Sequence, residues 1–172
     1  YATNLIDGEQ PADEHPDVFW RDRQTGETTW VSRARDGGLP NDEIFGPAMS
    51  GDGRSVAFYT AASNLVAGDL NATYDLFVRN LLAVDRLPEL ISKGHDGSGA
   101  NYGSYNPALA RDGCTVAFSS SATNLVENDS NGKQDVFVRL RECLTVRVQD
   151  EGGSPIAGAQ VFQDERIVDV RG

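Results

Sequence analysis

The sequence predicts an all-β chain made of stacked copies of a four-stranded antiparallel unit, and three observations carry that expectation. The first is a repeat at sixty residues: Asp52-Gly53-Arg54-Ser55-Val56-Ala57-Phe58 returns as Asp112-Gly113-Cys114-Thr115-Val116-Ala117-Phe118. The second is punctuation, in which short runs rich in Val, Phe, Ile and Thr alternate with Gly, Asn, Asp and Pro clusters and no sustained helical period intervenes. The third is that neighbouring positions in a run are both apolar. Val56 and Phe58 share one face while Ala57 takes the other, as in strands covered on both sides.

Each element follows from the register. Asn4-Leu5-Ile6, Asn64-Leu65-Val66 and Asn124-Leu125-Val126 recur, as do Asn41 with Asn101, Pro47 with Pro107 and Ser32 with Ser92. Asp17-Val18-Phe19-Trp20-Arg21, Asp75-Leu76-Phe77-Val78-Arg79 and Asp135-Val136-Phe137-Val138-Arg139 complete the set, the first displaced by two extra residues after Asn4. In the first copy the turn Arg23 to Gly26 precedes a strand over Glu27 to Ser32. In the last copy the order is strand Pro107 to Ala110, turn Arg111 to Gly113, strand Cys114 to Ser120, polar loop, strand Asp135 to Arg141. The Asp-Gly pair predicts a primed hairpin turn, because Gly accepts positive φ. Trp20 takes the register of Val78 and Val138, so burial between units is expected, and Trp30 takes that of Leu90.

A unit of this size cannot bury its apolar faces alone and needs stacked neighbours. Four-stranded antiparallel units arranged radially are blades of a β-propeller, which covers both faces of every sheet. A β-sandwich, the alternative, gives no sixty-residue period. The chain opens on Tyr1 partway through a repeat and ends at Gly172 within another pattern. It therefore reads as an excerpt holding a partial, a full and a partial blade, which cannot close a ring.

The motif Pro-x-x-Ser-x-Asp-Gly-x-x-Val-Ala-Phe over 47–58 resembles the repeat of TolB-like, or PD40-type WD40-like, propellers. Ser63-Asn64-Leu65-Val66, Gly68-Asp69-x-Asn71 and Asp75-x-Phe77-Val78-Arg79 are similar to bacterial secreted or envelope-associated members of that group. The resemblance covers 1–143 and implies a secreted, periplasmic or cell-surface binding or scaffold domain, with a protein or carbohydrate ligand at the propeller loops. Residues 144–172 change character: Leu144, Val146 and Val148 alternate, and a Gly-Pro-punctuated stretch follows. They resemble the opening strands of a carboxypeptidase-regulatory-like or Ig-like module. The other reading makes 144–149 the outer strand of the last blade.

Composition excludes several functions. A formal charge of −11 with no Lys/Arg cluster argues against nucleic acid. No apolar run approaches the roughly 18–20 residues of a membrane-spanning helix. No nucleophile elbow, phosphate loop or His placed beside a Ser or Cys appears, so the chain is expected not to be an enzyme. Ser50-Gly51-Asp52-Gly53 resembles the Asp-box of sialidases, itself a structural hairpin. The alternative function is a propeller that accompanies catalysis, either gating a serine peptidase or acting as a glycoside hydrolase.

Two sets of residues stand out as candidate sites. Asp69, Asn71 and Asp75, repeated as Asp129, Asn131 and Asp135, supply closely spaced oxygen ligands of the kind calcium takes. The competing account is that these side chains bond their own backbone in Asx-turns. Cys114 and Cys143 lie near the start of one strand and just past the end of its neighbour, so an antiparallel pairing brings them together. They are disulfide candidates suited to an oxidising compartment, against the alternative of two separate buried thiols. Trp20, Trp30, Tyr59, Tyr102 and Tyr105 are either blade packing or the lining of a carbohydrate or peptide surface.

Overall fold

A computed structural model describes residues 5–6, 15–82, 87–142, 152 and 154. Its strands are β1 (Phe19–Arg21), β2 (Thr28–Trp30), β3 (Ile44–Met49), β4 (Ser55–Thr60), β5 (Asp75–Asn80), β6 (Pro88–Leu90), β7 (Ser104–Leu109), β8 (Thr115–Ser120) and β9 (Asp135–Leu140). They form three antiparallel sheets in sequential order, β1-β2, β3-β4-β5-β6 and β7-β8-β9. The described residues contain no helix, and none long and apolar enough to cross a membrane. The four strands expected per copy are all present in the middle sheet.

The sixty-residue period is preserved in the hydrogen-bond ladder. Val56 faces Arg79 and Phe58 faces Phe77, while Val116 faces Arg139 and Phe118 faces Phe137. Both first hairpins carry an irregularity at the same place, between Phe45 and Ala48 and between Tyr105 and Ala108. The bulge places Gly46 at φ 57° and Asn106 at φ 54°, a left-handed conformation that these two residue types tolerate best.

The hairpin turns differ from the primed form expected. Strand β3 ends at Met49 and β4 starts at Ser55, so five residues intervene. Gly53 N–H donates to Ser50 O at 3.0 Å, and Gly53, at φ 73°, is the only residue of that loop with positive φ. A primed turn needs positive φ at its centre; here the Gly follows the turn. The Asp earns its place differently: Asp52 Oδ1 accepts from Ser50 Oγ and from Arg54 N–H.

Two apolar cores lie between successive sheets. Val18 and Val31 meet Ile44, Val56, Phe58, Leu65 and Phe77 in the first. Ala57, Leu76, Val78 and Ile91 meet Val116, Phe118, Ala122 and Leu125 in the second. Each copy thus offers the Val-x-Phe face of its second strand to the copy before it and the opposite face to the copy after it. Strands β4 and β5 are covered on both sides as expected, with only Asn80 of the twelve residues exposed. Strand β9 is not: Val136, Val138 and Leu140 are exposed at 76, 62 and 82%.

The shared polar residues clamp copies together. Arg79 Nη2 donates to Arg33 O at 2.8 Å, and Arg139 Nη2, sixty residues on, donates to Lys93 O and Leu125 O. Asn64 Oδ1 accepts Asn41 N–H while its amide donates to Leu39 O; Asn124 does the same toward Asn101 N–H and Gly99 O. Contacts divide the chain into two compact units, Tyr1–Arg141 and Glu142–Gly172. Apart from Gly152 and Ser154, the module expected over 144–172 lies outside the described residues.

Candidate functional site

The loop from β4 to β5 carries Asp69, Asn71 and Asp75, and burial sets its chemistry. Asn71 Oδ1 accepts Thr73 N–H at 3.3 Å and its amide donates to Ala100 O at 3.0 Å, which ties the loop to the next copy. Asp75 is fully buried. Its Oδ1 accepts the Ser92 hydroxyl at 2.5 Å, and Ser92 Oγ in turn accepts Leu76 N–H. Asp75 Oδ2 and Thr73 Oγ1 are buried with no hydrogen-bond partner. Burial pushes the Asp75 carboxyl up to about 6, the Ser92 hydroxyl and the neighbouring Asn71 amide pull it down, and the charge of Asp69 adds to the rise. Asp69 is itself nearly buried, and desolvation holds its pKa above the usual carboxylate value despite a bond from the Asn71 backbone.

The loop from β8 to β9 is built differently. Asn131 turns its amide to Asp135 Oδ2 at 2.9 Å and accepts Lys133 N–H on Oδ1 at 2.7 Å. Asp129 and Asp135 are half-buried and Asn131 is exposed. Both loops make Asx-type bonds, and among the described residues no three His, Cys, Asp or Glu side chains come together as a metal centre. Any cation here would depend on amide and backbone oxygens in addition to two carboxylates.

A device the sequence reading passed over recurs in the first copy. The Ser32 hydroxyl donates to Asp17 Oδ1 at 2.6 Å and Ser32 Oγ accepts Val18 N–H, as Ser92 does for Asp75 and Leu76. Trp30 Nε1 joins this network at 2.9 Å from Asp17 Oδ1, which places Trp30 in the buried interior. The signal was the Ser32 and Ser92 pair, present at the repeat spacing beside Asp17 and Asp75. Trp20, expected buried between units, is half-buried against the first core. Cys114 is disulfide-bonded and lies one residue before β8; Cys143 lies outside the described residues.

Of the aromatics singled out, Tyr102 is exposed, while Tyr59 and Tyr105 join Phe45 and Tyr74 in a half-buried group where β3, β4 and β7 meet. Tyr59 stacks on Phe45 at 5.7 Å and meets Tyr105 edge-on at 5.4 Å; Tyr74 lies 6.0 Å from Phe45, 6.1 Å from Tyr59 and 5.6 Å from Tyr105. Burial, and the nearby charges of Asp42 and Glu43, raise the Tyr74 pKa. Sequence spacing could not assemble this group, because Phe45 and Tyr74 draw no attention singly.

Two solved structures are similar to part of this chain. A putative TolB from Agrobacterium tumefaciens is 20% identical with a TM-score of 0.40, over 70% of this chain and 32% of that one. TolB from Acinetobacter baumannii is 16% identical with a TM-score of 0.43, over 83% of this chain and 26% of that one. The chain spans a third or less of either protein, and at these scores the likeness bears no weight on function. No protein-family model and no curated protein matches the sequence.

Proposed function

We propose that this chain is a run of blades from a TolB-like β-propeller of a secreted or cell-envelope bacterial protein, serving as a non-catalytic binding or scaffold domain. The observation that carries this reading is the stacking rule. The second and third sheets each cover the one before with the Val-x-Phe face and carry equivalent Arg and Asn clamps. Repeated polar residues that a catalytic reading would claim are thereby engaged in structure. The reading is tested by chains in which residues 84–143 are repeated one to four further times. Rising cooperativity of unfolding and falling binding of a hydrophobic dye support it. Copies that unfold independently, with dye binding undiminished, overturn it. Hydrolysis of peptide anilides or aryl glycosides by the extended chain would favour the catalytic alternative.

Calcium is a second element of the proposal, confined to the middle loop by a specific observation. Asp69 and Asp75 are both buried, and Asp75 Oδ2 has no hydrogen-bond partner. A divalent cation held by Asp69, Asn71 and Asp75 would offset that desolvation. In the last copy Asp129, Asn131 and Asp135 are more open and the Asn131 amide already occupies Asp135, so weaker binding is expected there. Calcium titration by calorimetry decides: saturable heat lost in Asp69→Asn and kept in Asp129→Asn supports the ion. No heat leaves all six residues as turn formers.

A further inference from the structure

We propose that the aromatic group of Phe45, Tyr59, Tyr74 and Tyr105, with the carboxylates of Asp42 and Glu43 beside it, is a docking site for a lysine or arginine side chain of a basic protein partner. The inference rests on the binding-domain reading and names the chemistry of the partner. Residues common to the copies are accounted for by strand pairing, stacking and clamps. This group instead departs from the repeat. Ser119 and Gln134 stand in the last copy where the middle copy has Tyr59 and Tyr74, and Tyr102 and Gly103 stand in the places of Asp42 and Glu43. Only Phe45 and Tyr105 are register equivalents, and they reach the group from two different sheets.

The backbone makes room for the rings. A Cβ on Gly46 would come 2.5 Å from Tyr59 Cε1, and one on Gly103 would come 2.2 Å from Tyr105 Oη. The four rings are each half-buried, so they present edges and faces to solvent from a fixed support. Clustered phenol and phenyl faces attract a cation through their quadrupoles, and a carboxylate at the rim adds a partner for its N–H groups. Asp42 and Glu43 immediately precede β3, three and two residues before Phe45, and Glu43 O accepts the hydroxyl of Thr60, the neighbour of Tyr59, which keeps this acidic pair at the edge of the ring group. A neutral sugar would gain from the rings but not from two carboxylates, which is why the cationic occupant is favoured. The formal charge of −11 speeds the approach of a basic partner without selecting this place on the surface.

The test uses tetralysine and tetra-arginine peptides as probes against the full chain, with maltohexaose as the uncharged probe, followed by calorimetry and by NMR of the tyrosine rings. Asp42→Asn with Glu43→Gln is compared with Glu27→Gln with Glu127→Gln, which removes the same charge from exposed positions elsewhere. Asn at 42 keeps an acceptor for Glu43 N–H, so the fold is expected to survive, and circular dichroism checks it. The site predicts about tenfold weaker peptide binding for the first pair and less than about twofold for the second. Tyr74→Leu should weaken binding while Tyr74→Phe keeps it. Equal weakening by both pairs, absence of peptide binding, or binding of maltohexaose alone overturns the proposal. If added repeat copies stack yet no peptide binds, this inference fails while the propeller reading stands.

Discussion

The middle and last copies share three strands in the same register and bury the face turned to the preceding copy alike, yet their opposite faces differ in burial. Leu76 and Val78 on β5 are fully buried, and their counterparts Val136 and Val138 on β9 are among the most exposed apolar residues described. The hairpins, the bulge and the clamping arginine are alike in both, so these features belong to a single copy. Burial is conferred by the following copy, which the middle sheet has and the described part of the last sheet does not. Repeat proteins divide their stability this way, between terms internal to a unit and terms at its interfaces. The row Val136, Val138, Leu140 is exposed apolar surface among the described residues, and Leu140 in place of Asn80 makes it more apolar than the face it mirrors.

The largest test of this contrast is a buried charge. Val78→Asp places an unpaired carboxylate in the second core and should cost on the order of 4 kcal/mol or more, enough to unfold the chain. Val138→Asp should stay within about 0.5 kcal/mol of the parent by urea unfolding, because its side chain already meets water. A comparable loss at Val138 would mean that β9 is covered in solution and would end the comparison. Next in size are the two bulges. Gly46→Ala forces a Cβ against Tyr59 in a left-handed conformation and should cost about 2–3 kcal/mol, whereas Asn106→Ala, where a Cβ already fits, should cost about 1 kcal/mol. Equal costs would mean that the Tyr59 contact yields freely.

Much of this fold was legible because the repeat reports tertiary structure directly. A period of sixty residues located β3 to β5 and β7 to β9, and the alternation at Val56, Ala57 and Phe58 announced two covered faces. The primed turn was misread because Asp-Gly permits several hairpin geometries, and Asp52 served to bond Ser50 and Arg54 rather than to centre the turn. The exposed face of β9 was illegible, since sequence shows that a residue is apolar and not whether its neighbour is present. For the candidate site, spacing identified Asp69, Asn71 and Asp75 but treated Asp129, Asn131 and Asp135 as their equals. The difference lies in Ser92 and in the cover from Ala100, both far away in sequence. The aromatic group was harder still, because it joins Phe45, Tyr59, Tyr74 and Tyr105 across two sheets.

The contrast between the copies also has a pH dependence. In chelator, Asp75 has a folded-state pKa of about 6 against an ordinary 3.8, with burial as the main cause. The native chain therefore binds a proton more tightly than the unfolded chain, and stability falls as pH rises from about 4 through about 6, by about 3 kcal/mol at most. Asp69 shifts in the same direction and steepens the slope. Asp75→Asn keeps an oxygen to accept the Ser92 hydroxyl and removes the larger titrating contribution, so only the shallower slope of Asp69 should remain across that window, with stability at neutral pH matching or exceeding the parent. If Asp75→Asn retains the full slope in urea unfolding at stepped pH, the buried carboxylate is not its source, and burial by the next copy has not altered this residue's chemistry. If calcium instead of chelator reverses the slope in the parent alone, the same carboxylate is stabilised by an ion that competes with the proton, and the two copies differ in what they bind as well as in what they bury.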